Sequence, residues 1–202
     1  MTLTWDVFNI IGTIAFALSG AIVAMEEEYD ILGVYVLGFA TAFGGGIIRN
    51  LLIGVPVTNI WNQSTLFTIA LLSMTIVFCS PGSLIHRWKR WLNFFDAIGL
   101  SAFAIQGASY AHSMHHSISA VIIAAVMTGI GGGLIRDLLA GRKPLVLRDE
   151  IYAVWAIFVG LVIGLDLVQN AWHTYLLFVI VVLLRLLSII FKWNLPRRAL
   201  SR

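Results

Sequence analysis

Two arginines stand in strongly apolar sequence, each behind three consecutive glycines: GGGIIRN at residues 44–50 and GGGLIRD at residues 131–137. A charged side chain inside a bilayer is costly and usually functional. Three glycines in a helix each cost about 1 kcal/mol relative to alanine, and they permit conformations and close approaches that other residues do not. The pattern admits two chemistries. If the helix breaks at the triplet, the carbonyls of Thr41, Ala42 and Phe43, and those of Thr128, Gly129 and Ile130, form a cation-attracting pole. The amides that open the next half-helix then attract anions. If the helix does not break, the glycines are a packing surface for a neighbouring helix. Two triplets in matching contexts, each followed by a charge, favour the broken helix and a pathway along it.

Arg49 and Arg136 need compensation wherever they sit. Counted along their spans, Arg49 and Asn9 lie at matching depths, with Asp6 one turn away, and Arg136 lies level with Asp96. The spacing predicts an Arg136–Asp96 clamp and an Arg49–Asn9/Asp6 counterpart, with Asp137 and Asn50 beside them. Clamp and pathway residue are both open roles for the arginines. Gln106 and Ser19 occupy equivalent places, either bonding the broken backbone or lining a pore.

These residues must be positioned by membrane helices. The 202 residues are 59% hydrophobic and 11% charged, with a mean hydropathy of +0.92, whereas a soluble domain is about 25% charged. A formal charge of +3 is too small for a nucleic-acid surface, and the single cysteine, Cys79, supports neither an intramolecular disulfide nor a metal cluster; it reads as a membrane-buried thiol. No catalytic constellation is present, no cofactor is implied, and the glycine triplets lack the GK[ST] ending of a phosphate loop. The first apolar run follows no positive n-region and is long enough to be a retained helix rather than a cleaved signal.

Spans of roughly 20 apolar residues fall near 5–24, 31–54, 64–80, 92–111, 118–140, 151–169 and 171–191, and Pro56, Pro81, Pro144 and Pro196 all lie just outside them. Ten of the 13 Lys and Arg follow the third span (Arg87, Lys89, Arg90), follow the fifth (Arg142, Lys143, Arg148) or sit in the tail (Lys192, Arg197, Arg198, Arg202). That bias predicts a cytoplasmic C-terminus and an external N-terminus. Arg185 reads as a snorkelling residue, His112, His115 and His116 as an interfacial polar turn, and Trp5, Trp172, Tyr175 and Trp193 as interface anchors.

Shifted by 87 residues, positions 8–54 align with 95–141 without a gap, and 20 of the 47 positions are identical, among them Gly12/Gly99, Phe16/Phe103, Gly20/Gly107 and Arg49/Arg136. Three spans per copy is an odd number, so the second copy enters the membrane inverted. The expected architecture is an all-α polytopic membrane protein of seven transmembrane helices. Repeat 1 is residues 1–90, inverted repeat 2 is 91–170, and the last helix and basic tail are 171–202. Helices two and five are expected to break at the triplets, near the midplane where inverted repeats place their pathways.

The doubled motif, GGGIIRNLLIG and GGGLIRDLLAG, with RKPLVLRDEIY after the second copy, resembles the bacterial branch of the trimeric intracellular cation (TRIC) channels, also labelled a glycine-transporter-like duplicated membrane domain family. The resemblance spans essentially the whole chain. It implies a homotrimer in the bacterial inner membrane, in contact with lipid, with a pore in each protomer that passes potassium and other monovalent cations. It carries Gly44, Gly45, Gly46, Gly131, Gly132 and Gly133 over as pore residues and Arg49, Arg136 and Asp137 as motif members. No match to the Lys-Glu-Val lipid-binding motif of the animal branch is found. The alternative is a secondary transporter for glycine or another small zwitterion, whose carboxylate would rest near Arg49 or Arg136. A purely structural subunit gives no reason for broken helices in both copies.

Overall fold

The computed structural model describes residues 3–148 and 151–196, without the side chains of residues 82–87, 89, 90 and 148. Of the basic residues used for orientation, the Arg87, Lys89, Arg90 and Arg148 side chains and all of Arg197, Arg198 and Arg202 therefore lie outside the described residues.

The described chain is all helical: α1 (Leu3–Glu26), α2 (Ile31–Leu52), a 3-10 segment (Val57–Asn62), α3 (Ser64–Phe78), α4 (Gly82–Ser113), α5 (Ile118–Leu139), the single turn α6 (Leu145–Arg148), α7 (Tyr152–Gly164) and α8 (Ala171–Ile190). By length and composition α1, α2, α5 and α8 can each cross a membrane, and α3 and α7 are apolar but shorter. Two boundaries differ from expectation. Helix α4 starts at Gly82, directly after Pro81, because a charged stretch can be helical although it adds nothing to an apolar count. Helix α7 stops at Gly164, where Asp166 takes a left-handed conformation (φ 56°).

Local chemistry ends the repeated helices alike. Gly54 and Gly141, equivalent in the two copies, both have positive φ (75° and 69°), which glycine adopts without the Cβ penalty. The following amides turn back: Val55 N donates to the Asn50 carbonyl (2.9 Å) and Arg142 N to the Asp137 carbonyl (2.8 Å), the closing bond of a left-handed helix cap. At the start of α2 the Asp30 carboxylate accepts from Gly33 N at 2.7 Å, satisfying a free helix-end amide.

Helices α1, α2, α4 and α5 form the centre, with α3 packed on α1 and α2 and its counterpart α7 packed on α4 and α5. Asn9, early in α1, meets Gln106, late in α4, while Ser19, late in α1, and Asp96, midway along α4, meet at Arg136. Equivalent helices therefore run antiparallel, as inversion requires. Phe16 and Phe103 face each other edge to face, 5.2 Å between centroids. A Cβ on Gly99 would overlap Phe16, and one on Gly12 would overlap Phe103. In a membrane, where burial alone does not drive helix association, such close packing does.

The expected breaks are absent. Both α2 and α5 run as continuous α-helix through their triplets. The glycines are where the two helices cross: a Cβ on Gly45 would overlap the Thr128 carbonyl, one on Gly132 the Thr41 carbonyl, and one on Gly131 would lie 2.9 Å from Gly45 Cα. Backbone contact without kinking satisfies the same sequence pattern. Arg185 does not snorkel either: it is 1% exposed, and its guanidinium lies 4.5 Å over the Tyr152 ring. Cys79 caps α3 and is exposed from the bundle.

Candidate functional site

Each repeat delivers its arginine to one end of the α1/α2/α4/α5 centre. Arg136 is 1% exposed. Its Nη1 donates to Asp96 Oδ1 at 2.8 Å and to Ser19 Oγ, and its Nε and Nη2 both lie 2.8 Å from Asp137 Oδ1. Asp137 Oδ2 in turn accepts from Leu145 N at 3.1 Å. The Arg136–Asp96 contact is thus present, with a second carboxylate beside it.

The opposite end repeats the geometry with amides. Arg49, 3% exposed, donates from Nε (3.1 Å) and Nη2 (2.9 Å) to Asn50 Oδ1, and from Nη1 (2.9 Å) to Gln106 Oε1. Gln106 Nε2 then donates to Asn9 Oδ1. Asn50, Gln106 and Asn9 are the repeat equivalents of Asp137, Ser19 and Asp96. The direct Arg49–Asn9/Asp6 contact is not formed: Gln106 is long enough to stand between Arg49 and Asn9, and Asp6 is exposed. Gln106 and Ser19 bond arginines of the opposite repeat, not backbone. Among the described residues no carboxylate pairs with Arg49; the face of Tyr110, 5.0 Å from its guanidinium carbon, covers it instead. Tyr110 escaped sequence reasoning, although its i,i+4 spacing from Gln106 puts both on one face of α4.

The glycines divide by position. Gly45, Gly131 and Gly132 make the crossing, and Gly44 abuts Ile135. The third glycine of each triplet faces a polar cluster. A Cβ on Gly46 would have Arg49 Nη2 as its nearest neighbour at 3.8 Å, and one on Gly133 would meet the Tyr152 hydroxyl at 3.1 Å and Asp96 Oδ1 at 3.5 Å. Thr41 and Thr128 turn their hydroxyls to the Leu37 and Ala124 carbonyls, both at 2.6 Å.

A cavity of about 530 Å³ opens at the Arg49 end, lined by Trp5, Asp6, Asn9, Arg49, Asn50, Asn59, Asn62, Gln63 and Tyr110 among others. Asn9, Arg49, Asn50 and Gln63 also border a cavity of about 30 Å³, which reaches inward to Thr13, Gly46, Phe103, Gln106 and Thr128. Polar side chains continue down the funnel to the level of the helix crossing, between apolar walls that include Ile10, Leu66, Phe43 and Phe103. Trp5, expected as an interface anchor, stands at its mouth, edge-on to Tyr110 at 5.2 Å.

Two inverted helical repeats around a pair of buried, bonded arginines, with a funnel leading to one of them, define a membrane-protein class. The sequence pattern of the family described as Glycine transporter matches residues 6–81 and 93–165. The chain is 62% identical over 197 residues to the Bacillus subtilis (strain 168) UPF0126 membrane protein YvgT, covering 98% of each. It is similar to a solved TRIC cation channel at 40% identity, TM-score 0.85, covering all of both chains. It is also similar to the Rhodobacter sphaeroides TRIC orthologue at 31% identity, TM-score 0.83, covering 96% of this chain and all of that one. The chain belongs to this family, the bacterial TRIC channels.

Proposed function

We propose that the chain is a passive cation channel conducting potassium and other monovalent cations through each protomer of a homotrimer in the bacterial inner membrane. In this reading the seven longer helices cross the bilayer, with the N-terminus outside, the C-terminus cytoplasmic and lipid around the bundle. The polar funnel is the external entrance, and ions leave past the Asp96/Asp137 cluster.

The observation that carries this reading is the treatment of the arginines. A cation route has to neutralise its fixed positive charges or hold them aside, and Arg136 is held by Asp96 and Asp137 at 2.8 Å. Asn9, Thr13, Asn50, Gln63 and Thr128 border the narrow part of the funnel, a polar set able to exchange contacts with a partly hydrated monovalent ion. Gly46 and Gly133 leave room beside the two clusters, and Gly45 and Gly132 let the helices that carry them cross. With α2 and α5 continuous, the pathway follows side chains and cavity walls, not the open carbonyls of broken helices.

Proteoliposomes loaded with potassium test this against a glycine carrier. The channel reading expects rapid potassium efflux on dilution into a medium of a large impermeant cation, without valinomycin and with protons entering through an uncoupler to balance the charge, and no saturable uptake of labelled glycine. Glycine uptake without potassium flux reverses it.

A further inference from the structure

We propose that Arg49 is the binding site for a small monovalent anion, of chloride size, which enters through the funnel and supplies the counter-charge that the first repeat lacks. The two repeats build the same cluster with one difference in charge. Where Arg136 has Asp96 and Asp137, Arg49 has Asn9 and Asn50. Arg136 is therefore neutralised by its own chain, and among the described residues Arg49 has no such partner.

A buried, unpaired charge is strongly unfavourable, and hydrogen bonds to neutral amides only partly offset it. Of the five N–H donors of a guanidinium, the bonds to Asn50 and Gln106 engage three in Arg49. The remaining two, one on each terminal nitrogen, have no acceptor among the described residues. The Tyr110 face attracts a cation but brings no negative charge. Asp6, the acid at the funnel mouth, is exposed and does not reach it.

Beside the guanidinium lies the cavity of about 30 Å³. A water needs roughly 10–15 Å³ of such space, so the cavity has room for an ion of halide size. Thr13 and Asn9, whose side chains carry further O–H and N–H donors, are among its lining residues. The larger cavity of about 530 Å³ shares four lining residues with it and gives access. An anion here would make the charge at the funnel throat neutral, as Asp96 and Asp137 do at the other end. That consequence for conduction rests on the channel reading; the binding itself does not.

The test uses the purified full-length protein in detergent, melted in potassium chloride, potassium bromide and potassium gluconate at equal potassium concentration. Crystals grown in bromide are searched for an anomalous peak beside Arg49. A melting point about 2–4 °C higher in either halide than in gluconate is expected, together with a bromide peak at the Arg49 terminal nitrogens. Asn50→Asp, which copies Asp137, should abolish both, and Asn9→Asp, which copies Asp96, is the second variant should the first not fold. Equal melting in the three salts with no bromide peak overturns the proposal. So does a halide shift of undiminished size in the folded aspartate variant, which would put the binding elsewhere. Neither readout uses current, so failure here leaves the channel reading intact, and a protein without current can still carry the site.

Discussion

Arg136 Nη1 and Asp96 Oδ1 lie 2.8 Å apart with both side chains 2% exposed, whereas their equivalents, Arg49 and Asn9, are joined only through Gln106. The difference follows from two residue pairs. Serine at position 19 is short and lets Asp96 reach its arginine, while glutamine at position 106 fills the same space and makes the amide of Asn9 a partner of a partner. One end of the molecule is thus held by ion pairs and the other by hydrogen bonds from an arginine to neutral amides.

Removing one member of a buried ion pair costs about 3–5 kcal/mol; losing a neutral hydrogen bond costs about 1 kcal/mol. Asp96→Ala should therefore lower the thermal midpoint in detergent several-fold more than Asn9→Ala. Equal losses would mean that Arg136 relies on Asp137 alone. The exchanged pair Asp96→Arg/Arg136→Asp should recover part of the loss seen in either single variant.

The glycine triplets should respond by position. Gly45→Ala forces a methyl onto the Thr128 carbonyl, and overpacking of this kind costs about 1–3 kcal/mol. Gly46→Ala meets nothing closer than Arg49 Nη2 at 3.8 Å, and alanine favours a helix over glycine by about 0.5–1 kcal/mol. Midpoints by fluorescence should fall for the first and hold or rise for the second; a fall of equal size for both would contradict the crossing geometry.

Arg142 joins the two repeats at the Arg136 end, with Nη1 2.8 Å from Glu26 and Nε 2.6 Å from Glu27. Burial works against its charge, but Glu27 and Glu26 more than offset this and hold its pKa above the ordinary arginine value. A raised pKa stabilises the fold at every pH below the unfolded value, so salt and not alkali is the lever over the working range. Arg142 is partly exposed, and such contacts are worth about 1 kcal/mol or less. Arg142→Ala should cost a degree or two of melting temperature at low salt and almost nothing at 1 M, where screening is strong; a salt-independent loss would point to packing of its stem.

Much of this was legible because the 87-residue offset fixes which positions are equivalent, and equivalence under inversion puts Asn9 near the level of Arg49 and Asp96 near Arg136. The Arg136–Asp96 contact follows from depth alone. The role of Gln106 does not, because its contact with Arg49 crosses between repeats, and depth within one repeat carries no information about the other. The unbroken course of α2 and α5 was equally hidden. Glycine removes a side chain both where a backbone bends and where another backbone approaches, and only the position of Thr128 against Gly45 distinguishes the two. Arg185 looked like a snorkelling residue because Lys192 lies two turns away in sequence; its burial depends on Tyr152, on a different helix.

Passive cation conduction is open to direct measurement by recording from the purified protein in a planar bilayer with unequal potassium on the two sides. Discrete unitary currents that reverse at the potassium equilibrium potential are expected. Silent membranes at verified protein insertion, or currents reversing at the equilibrium potential of the anion, would contradict it.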